Sequence, residues 1–197
     1  MSNITMITKT MGTIIIILIG LLININSYSQ KNQTMVEIQN FDFLIGKWSI
    51  VNKKLKERLK NSDEWIEFPA QMESKKILNG LGVMDEFKTS YFGDEFVGLS
   101  IRIFNPKLNE WTIYWADTMY PELKLTEQVV GSFKNGIGIF YGTEIFKGKE
   151  VRLRFIWKQE SLKTVYWEQA YYDETSNAWE TNWIMQFTKN VRKNLKN

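Results

Sequence analysis

Residues 149–187 read KEVRLRFIWKQESLKTVYWEQAYYDETSNAWETNWIMQF, and apolar and polar side chains alternate along almost the whole stretch. Val151, Leu153, Phe155 and Trp157 recur with period two, as do Val165, Trp167, Gln169 and Tyr171, and then Trp179, Thr181, Trp183, Met185 and Phe187. An extended strand gathers such a set on one side, because its successive side chains point to opposite faces. The stretch therefore predicts three β-strands joined by two tight turns, with one face walled by aromatic rings.

In an antiparallel pair the numbers of facing residues sum to a constant, so each turn sets a register. With Tyr172 opposite Ala178, Trp167 faces Trp183, Tyr171 faces Trp179 and Glu168 faces Asn182. With Gln159 opposite Lys163, Phe155 faces Trp167 and Arg154 faces Glu168. One face then carries Phe155, Trp157, Trp167, Tyr171, Trp179 and Trp183. The other carries a transverse polar row, Arg154, Glu168 and Asn182. A shift of one residue exchanges the faces. Burial favours the aromatic face inside, since a single curled sheet must hide its apolar side somewhere. A guanidinium beside Glu168 keeps that carboxylate ionised, which suits an ion pair or an anion clamp better than a general acid.

The 197 residues suit one or at most two domains and can bury a substantial core. Absent residue types bound the chemistry. With no His and no Cys the chain has no Ser-His-Asp triad, no Cys-His pair, no zinc site of the usual type and no axial histidine for a haem. No cofactor is expected. Carboxylate, Lys, Tyr and Ser chemistry stays open, but adjacent acids such as Asp85 and Glu86 show no spaced calcium loop. The net charge of +3 owes much to a basic tail, 189–197, and carries no nucleic-acid footprint.

The amino terminus has the form of a cleavable export signal over 1–29. A polar start with Lys9 precedes the apolar run IIIILIGLLI at 14–23, and Ser27 and Ser29 supply a small-x-small site. That run is about half of the roughly 20 residues needed to cross a bilayer, so no stable membrane anchor is expected after cleavage near Ser29. The expected product is an exported protein, periplasmic or extracellular.

After a polar lead-in at 30–40 comes FDFLIGKWSIV at 41–51, with Gly46 permitting a bend where the first strand enters a barrel. The basic run KKLKERLK at 53–60 reads as a solvated rim element, either a helical turn or an irregular strand end, with contact to an anionic surface as the sharper alternative. Strands are predicted at 64–78, 83–92, 96–105, 110–117, 129–133 and 137–146, with Pro69 marking a bulge or an edge. Arg102 lies among Val97, Leu99, Ile101 and Ile103, and its face is left open. Residues 118–127, which contain Pro121, have no clean period and are placed as a lid or mouth loop. The sum is an all-β chain, about ten strands in a closed or nearly closed antiparallel meander barrel.

Gly46-x-Trp48 at the start of the first strand resembles the calycin or lipocalin-like barrels. The blocks Arg102-Ile103-Phe104-Asn105-Pro106, Trp167-Glu168-Gln169-Ala170 and Trp179-Glu180-Thr181-Asn182-Trp183 are similar to an uncharacterised bacterial lipocalin-like single-domain family. The resemblance covers about 41–188 and implies a barrel but no assigned activity. It also implies a basic residue of the last strand packed on the first Trp, here Lys189 or Arg192.

The eight tryptophans either fill this barrel or line a cavity in it. The leading expectation is a non-catalytic barrel that holds a small apolar or amphipathic molecule against Trp115, Trp157, Trp167, Tyr171 and Trp183, with Gln169 orienting it. One alternative is an enzyme using carboxylate, Tyr or Arg chemistry in the same cavity. Another is a glycan- or protein-binding module with Trp65, Trp111 and Trp179 exposed on a flat patch.

Overall fold

The computed structural model describes residue 37, residues 39–93 and residues 95–190. Ten strands follow one another: β1 Gly46–Leu55, β2 Trp65–Ile77, β3 Gly82–Thr89, β4 Phe96–Asn105, β5 Glu110–Asp117, β6 Val129–Lys134, β7 Ile137–Phe146, β8 Lys149–Gln159, β9 Thr164–Asp173 and β10 Ala178–Lys189. Each pairs antiparallel with its neighbours in sequence, and β10 pairs back onto β1 to close the barrel. The expected all-β, ten-stranded, lipocalin-like meander is what forms. The export signal at 1–29, nearly all of the lead-in at 30–40 and most of the basic tail lie outside the described residues.

Because the strands alternate in direction, the connections after β2, β4, β6 and β8 gather at one end and those after β1, β3, β5, β7 and β9 at the other. We call these ends the floor and the mouth.

Aromatic packing builds the floor. Residues 41–45 do not extend β1 outward as the alternation of Phe41, Phe43 and Ile45 suggests. They fold into a 3₁₀ turn, Asp42–Leu44, that drops Phe41 into the barrel. The Phe41 ring then lies 5.0 Å from Trp111, 4.9 Å from Phe133, 5.7 Å from Phe140 and 5.8 Å from Trp157. The turn is tied down at both ends. Trp48 Nε1 donates to the Leu44 carbonyl at 2.6 Å, and Lys76 pairs with Asp42 at 2.7 Å. Lys189 of β10 places its ammonium 5.1 Å from the Trp48 ring, so the closing basic residue implied by the resemblance is Lys189. Gly46, at φ 120°, makes the bend between turn and strand, a conformation that side chains disfavour.

The registers of the aromatic stretch differ from those expected. Gln159 pairs with Val165, two residues beyond Lys163, so Trp157 faces Trp167. A slip of two keeps each side chain on its face. Between β9 and β10, Ala178 pairs with Asp173 and a bulge falls between Thr181 and Trp183, after which Trp167 faces Met185. A bulge adds one residue to one strand and changes the parity beyond it. Trp183 therefore points inward and Trp179 outward, where Trp179 meets Tyr141, Tyr172 and the Arg154 guanidinium.

Two smaller expectations change as well. The β1–β2 pairing runs through Pro69 without a bulge, and Pro69 sits past the last rung with β3, where its missing N–H costs no ladder bond to that strand. On β4 the inward set is Phe96, Gly98, Ser100, Arg102 and Phe104, which leaves Val97, Leu99, Ile101 and Ile103 half-buried on the outer wall.

Candidate ligand cavity

Above the aromatic floor the barrel is hollow. A cavity of about 450 Å³ opens toward the mouth, walled by Met72, Phe87, Phe96, Ile113, Leu153 and Phe155 among others. Five of the six expected ligand contacts line it: Trp115, Trp157, Trp167, Gln169 and Trp183. Trp115 is 40% exposed and stands at the rim, where its ring lies over Gly98 and a Cβ at Gly98 would be 2.0 Å from it. The sixth, Tyr171, is fully buried and acts behind the wall, its hydroxyl donating to Glu144 and accepting from Arg58 Nη1 at 2.6 Å.

The expected polar row is not one row. Arg154 and Glu168 pair at 3.2 Å on the outer wall, and the Tyr166 hydroxyl donates to Glu168 at 2.7 Å. Asn182, carried inward by the bulge, is completely buried and accepts from Gln169 Nε2 at 3.0 Å. Gln169 is thus held in place by Asn182. Above them Trp183 Nε1 donates to Asn52 Oδ1 at 3.0 Å, which fixes the Trp183 ring against β1.

Three charged clusters surround this apolar space. Deep in the barrel Arg102, 2% exposed, pairs with Asp85, and its guanidinium lies 4.9 Å from the Trp157 ring and 5.2 Å from the Phe41 ring. Burial pushes the Asp85 carboxyl up, while Arg102 and the Ser100 hydroxyl pull it back. The second cluster, Lys54, Arg58, Glu144 and Tyr171, stands under the mouth. Burial raises the Glu144 carboxyl and is also the main cause of the rise at Tyr171, to which Glu144 adds. The third belongs to the loop between β5 and β6, where Asp117, Glu122, Lys124 and Glu127 reach the opening. That loop exists because β5 and β6 share only three rungs, Trp111 to Gly131 through Ile113 to Val129, and then diverge. The expected mouth loop is therefore at the mouth.

Lys54 and Arg58 escaped the sequence reading, which took 53–60 as a solvated rim. In the structure β1 stays regular through Leu55 and turns Trp48, Ile50, Asn52 and Lys54 inward in strict alternation. The signal was that alternation, continued two residues into a lysine-rich run. Past the strand, Leu59 takes φ 56° and its N–H donates to Glu180 Oε1 at 2.7 Å, which ties the connection to β10 beside Arg58. The Lys54 ammonium lies 3.5 Å from the Trp183 ring centroid and 5.0 Å from that of Phe92, and burial, then the neighbouring Arg58, pushes its pKa down to about 7.

Trp111 is 0% exposed, so the flat patch of Trp65, Trp111 and Trp179 does not form. Among the described residues no group of three or more acidic side chains is placed to hold a metal ion, and no helix is long and apolar enough to cross a membrane.

No protein-family model matches the chain. The S-type phycobiliprotein lyase CPES from Guillardia theta is similar in structure, with a TM-score of 0.55 at 6% identity over 83% of this chain and 98% of that one. Rv2717c from M. tuberculosis is similar with a TM-score of 0.51 at 9% identity over 79% of this chain and 98% of that one. Identities this low speak to fold alone. Protein NLP2 from Arabidopsis thaliana is 33% identical over 116 residues, a match that takes in 54% of this chain and only 12% of that protein's length.

Proposed function

We propose that this chain is an exported binding protein that holds a small amphipathic molecule inside its barrel and does no chemistry on it. The observation that carries the reading is the cavity: about 450 Å³, rich in aromatic rings, open at one end and plugged at the other. Small-molecule sites have this character, largely preformed and apolar with a few oriented polar groups, here Gln169 held by Asn182. The likeness to a phycobiliprotein lyase supports use of such a barrel for a ligand. Purified protein extracted with organic solvent releases the ligand to mass spectrometry, and the emptied barrel enhances the fluorescence of the neutral dye N-phenyl-1-naphthylamine with one site per chain. A barrel that neither releases a molecule nor takes up the dye would refute the reading.

Export rests on the 1–29 pattern. Mature protein recovered outside the cytoplasm begins at Gln30; material that begins at Met1 sinks this part of the proposal. The enzyme reading retains one observation, the raised Glu144 carboxyl beside Tyr171 in the same cavity. The natural ligand recovered unchanged after prolonged incubation with the protein counts against it.

A further inference from the structure

From the interior hydrogen-bonding inventory we infer that the ligand is an anion: a flat apolar body bearing an oxyanion group, which Lys54 and Arg58 receive under the mouth. The inference rests on the cavity being a ligand site and adds the charge and orientation of what enters it.

The first line of support is that two cations under the mouth form no ion pair among the described residues. Lys54 and Arg58 both line the cavity, and among the described residues neither has a carboxylate within ion-pair distance. Arg58 Nη1 donates to the Tyr171 hydroxyl, and its guanidinium stacks 4.3 Å from the Phe146 ring. Lys54 has ring faces for neighbours and, among the described residues, no hydrogen-bond acceptor. Glu144 is the nearest acid, but burial disfavours its ionised form and its Oε1 is already engaged by Tyr171. Two half-buried cations with no ion-pair partner among the described residues carry a desolvation cost, and an oxyanion between them offsets it. Asp85 does not serve, because Arg102 holds it at the far end.

The second line is a shortage of acceptors along the same walls. Among the described residues, the buried polar side-chain atoms without partners include Arg102 Nε, Trp157 Nε1 and Trp167 Nε1, all from residues lining the cavity, together with Asn182 Nδ2 beside Gln169. Every one is a donor. Buried donors without partners are expensive, and these sit within the wall that the cavity's lining residues form. The rings supply the fit for a flat body, since Trp167 and Trp183 stand at 79° with centroids 5.7 Å apart, an edge-to-face pair that forms a corner.

The test uses two dyes with the same aromatic frame, 8-anilino-1-naphthalenesulfonate, which carries an oxyanion, and neutral N-phenyl-1-naphthylamine. The wild-type barrel binds the sulfonate at least tenfold more tightly at pH 6.5. Lys54→Met removes that preference, read as the ratio of the two dyes' affinities, while Lys54→Arg retains it. Equal sulfonate binding by wild type and Lys54→Met, with the neutral dye still bound, overturns the anion site and leaves the cavity reading standing. If neither dye binds to the folded wild-type barrel, both fall together.

Discussion

The floor and the mouth of this barrel are built from the same kinds of residue and do opposite work. At the floor, Phe41, Trp48, Trp111, Phe140 and Phe187 are at most 2% exposed and pack edge to face around the plug. The ion pair above them, Arg102 with Asp85, is closed on itself. At the mouth, Phe92 and Trp183 flank Lys54 and Phe146 flanks Arg58, two cations with no carboxylate at ion-pair distance among the described residues, and the walls part where β5 leaves β6. Aromatic content does not separate the two ends. What separates them is whether each charge meets its partner inside the chain. The paired charge belongs to the packed end of the fold; the unpaired ones are where our proposal seats the ligand's oxyanion.

Breaking the floor has the largest expected effect. Phe41→Ala withdraws the plug from four rings and costs about 3–5 kcal/mol in chemical denaturation, whereas Phe92→Ala at the mouth costs about 1 kcal/mol. Equal losses would erase the distinction.

The mouth gives the next effect, with the opposite sign. The folded-state pKa of Lys54, about 7, lies below its usual 10.5, so between these values the unfolded chain binds more protons and the stability contributed by this group rises with pH. Below pH 7 the fold carries the full cost of the buried ammonium. Lys54→Met therefore stabilises the ligand-free barrel by about 2 kcal/mol at pH 6, and the gain shrinks toward zero by pH 10. Arg58 from the connection after β1, Glu144 from β7, Tyr171 from β9 and Glu180 from β10 surround this site, so the comparison is between wild type and variant at each pH. A variant less stable than wild type at pH 6 would show that Lys54 is internally compensated.

The outer wall provides the reference. Glu168→Gln unpairs Arg154 near water and costs no more than about 1 kcal/mol by thermal melting. A larger loss would place the Arg154 pair with the floor's closed charges.

Period-two alternation was enough to read the barrel and the inward direction of Trp157, Trp167 and Trp183, because a side chain's face depends only on parity and a slip of two residues preserves it. Register was not legible. The turn after Gln159 is longer than its sequence suggests, and nothing in Glu180-Thr181-Asn182-Trp183 marks which residue the bulge adds. That single residue accounts for Trp179 facing out and Asn182 facing in. The polar part of the site was hidden for a different reason. Lys54 and Arg58 sit in a run of charges whose composition predicts solvent, and it takes the hydrogen-bonded continuation of β1 to Leu55 to carry Lys54 inside. Arg102 looked misplaced among aliphatic residues, yet on β4 the aliphatic residues are the outer set.

The seam between β1 and β10 joins segments that meet late. Ser49 Oγ donates to Asn190 Oδ1 at 2.8 Å across a separation of 141 positions, and the Asn190 N–H donates to the Lys47 carbonyl at 2.9 Å. Every other strand pairs with its immediate predecessor, mostly through a short hairpin, while this junction waits for the last strand to be made, so ring closure is the slow and entropically dearest event in the folding of the molecule. The same adjacency makes the pairing order circular: a chain cut at the Ser161 turn and spliced across the seam keeps all ten strand partnerships.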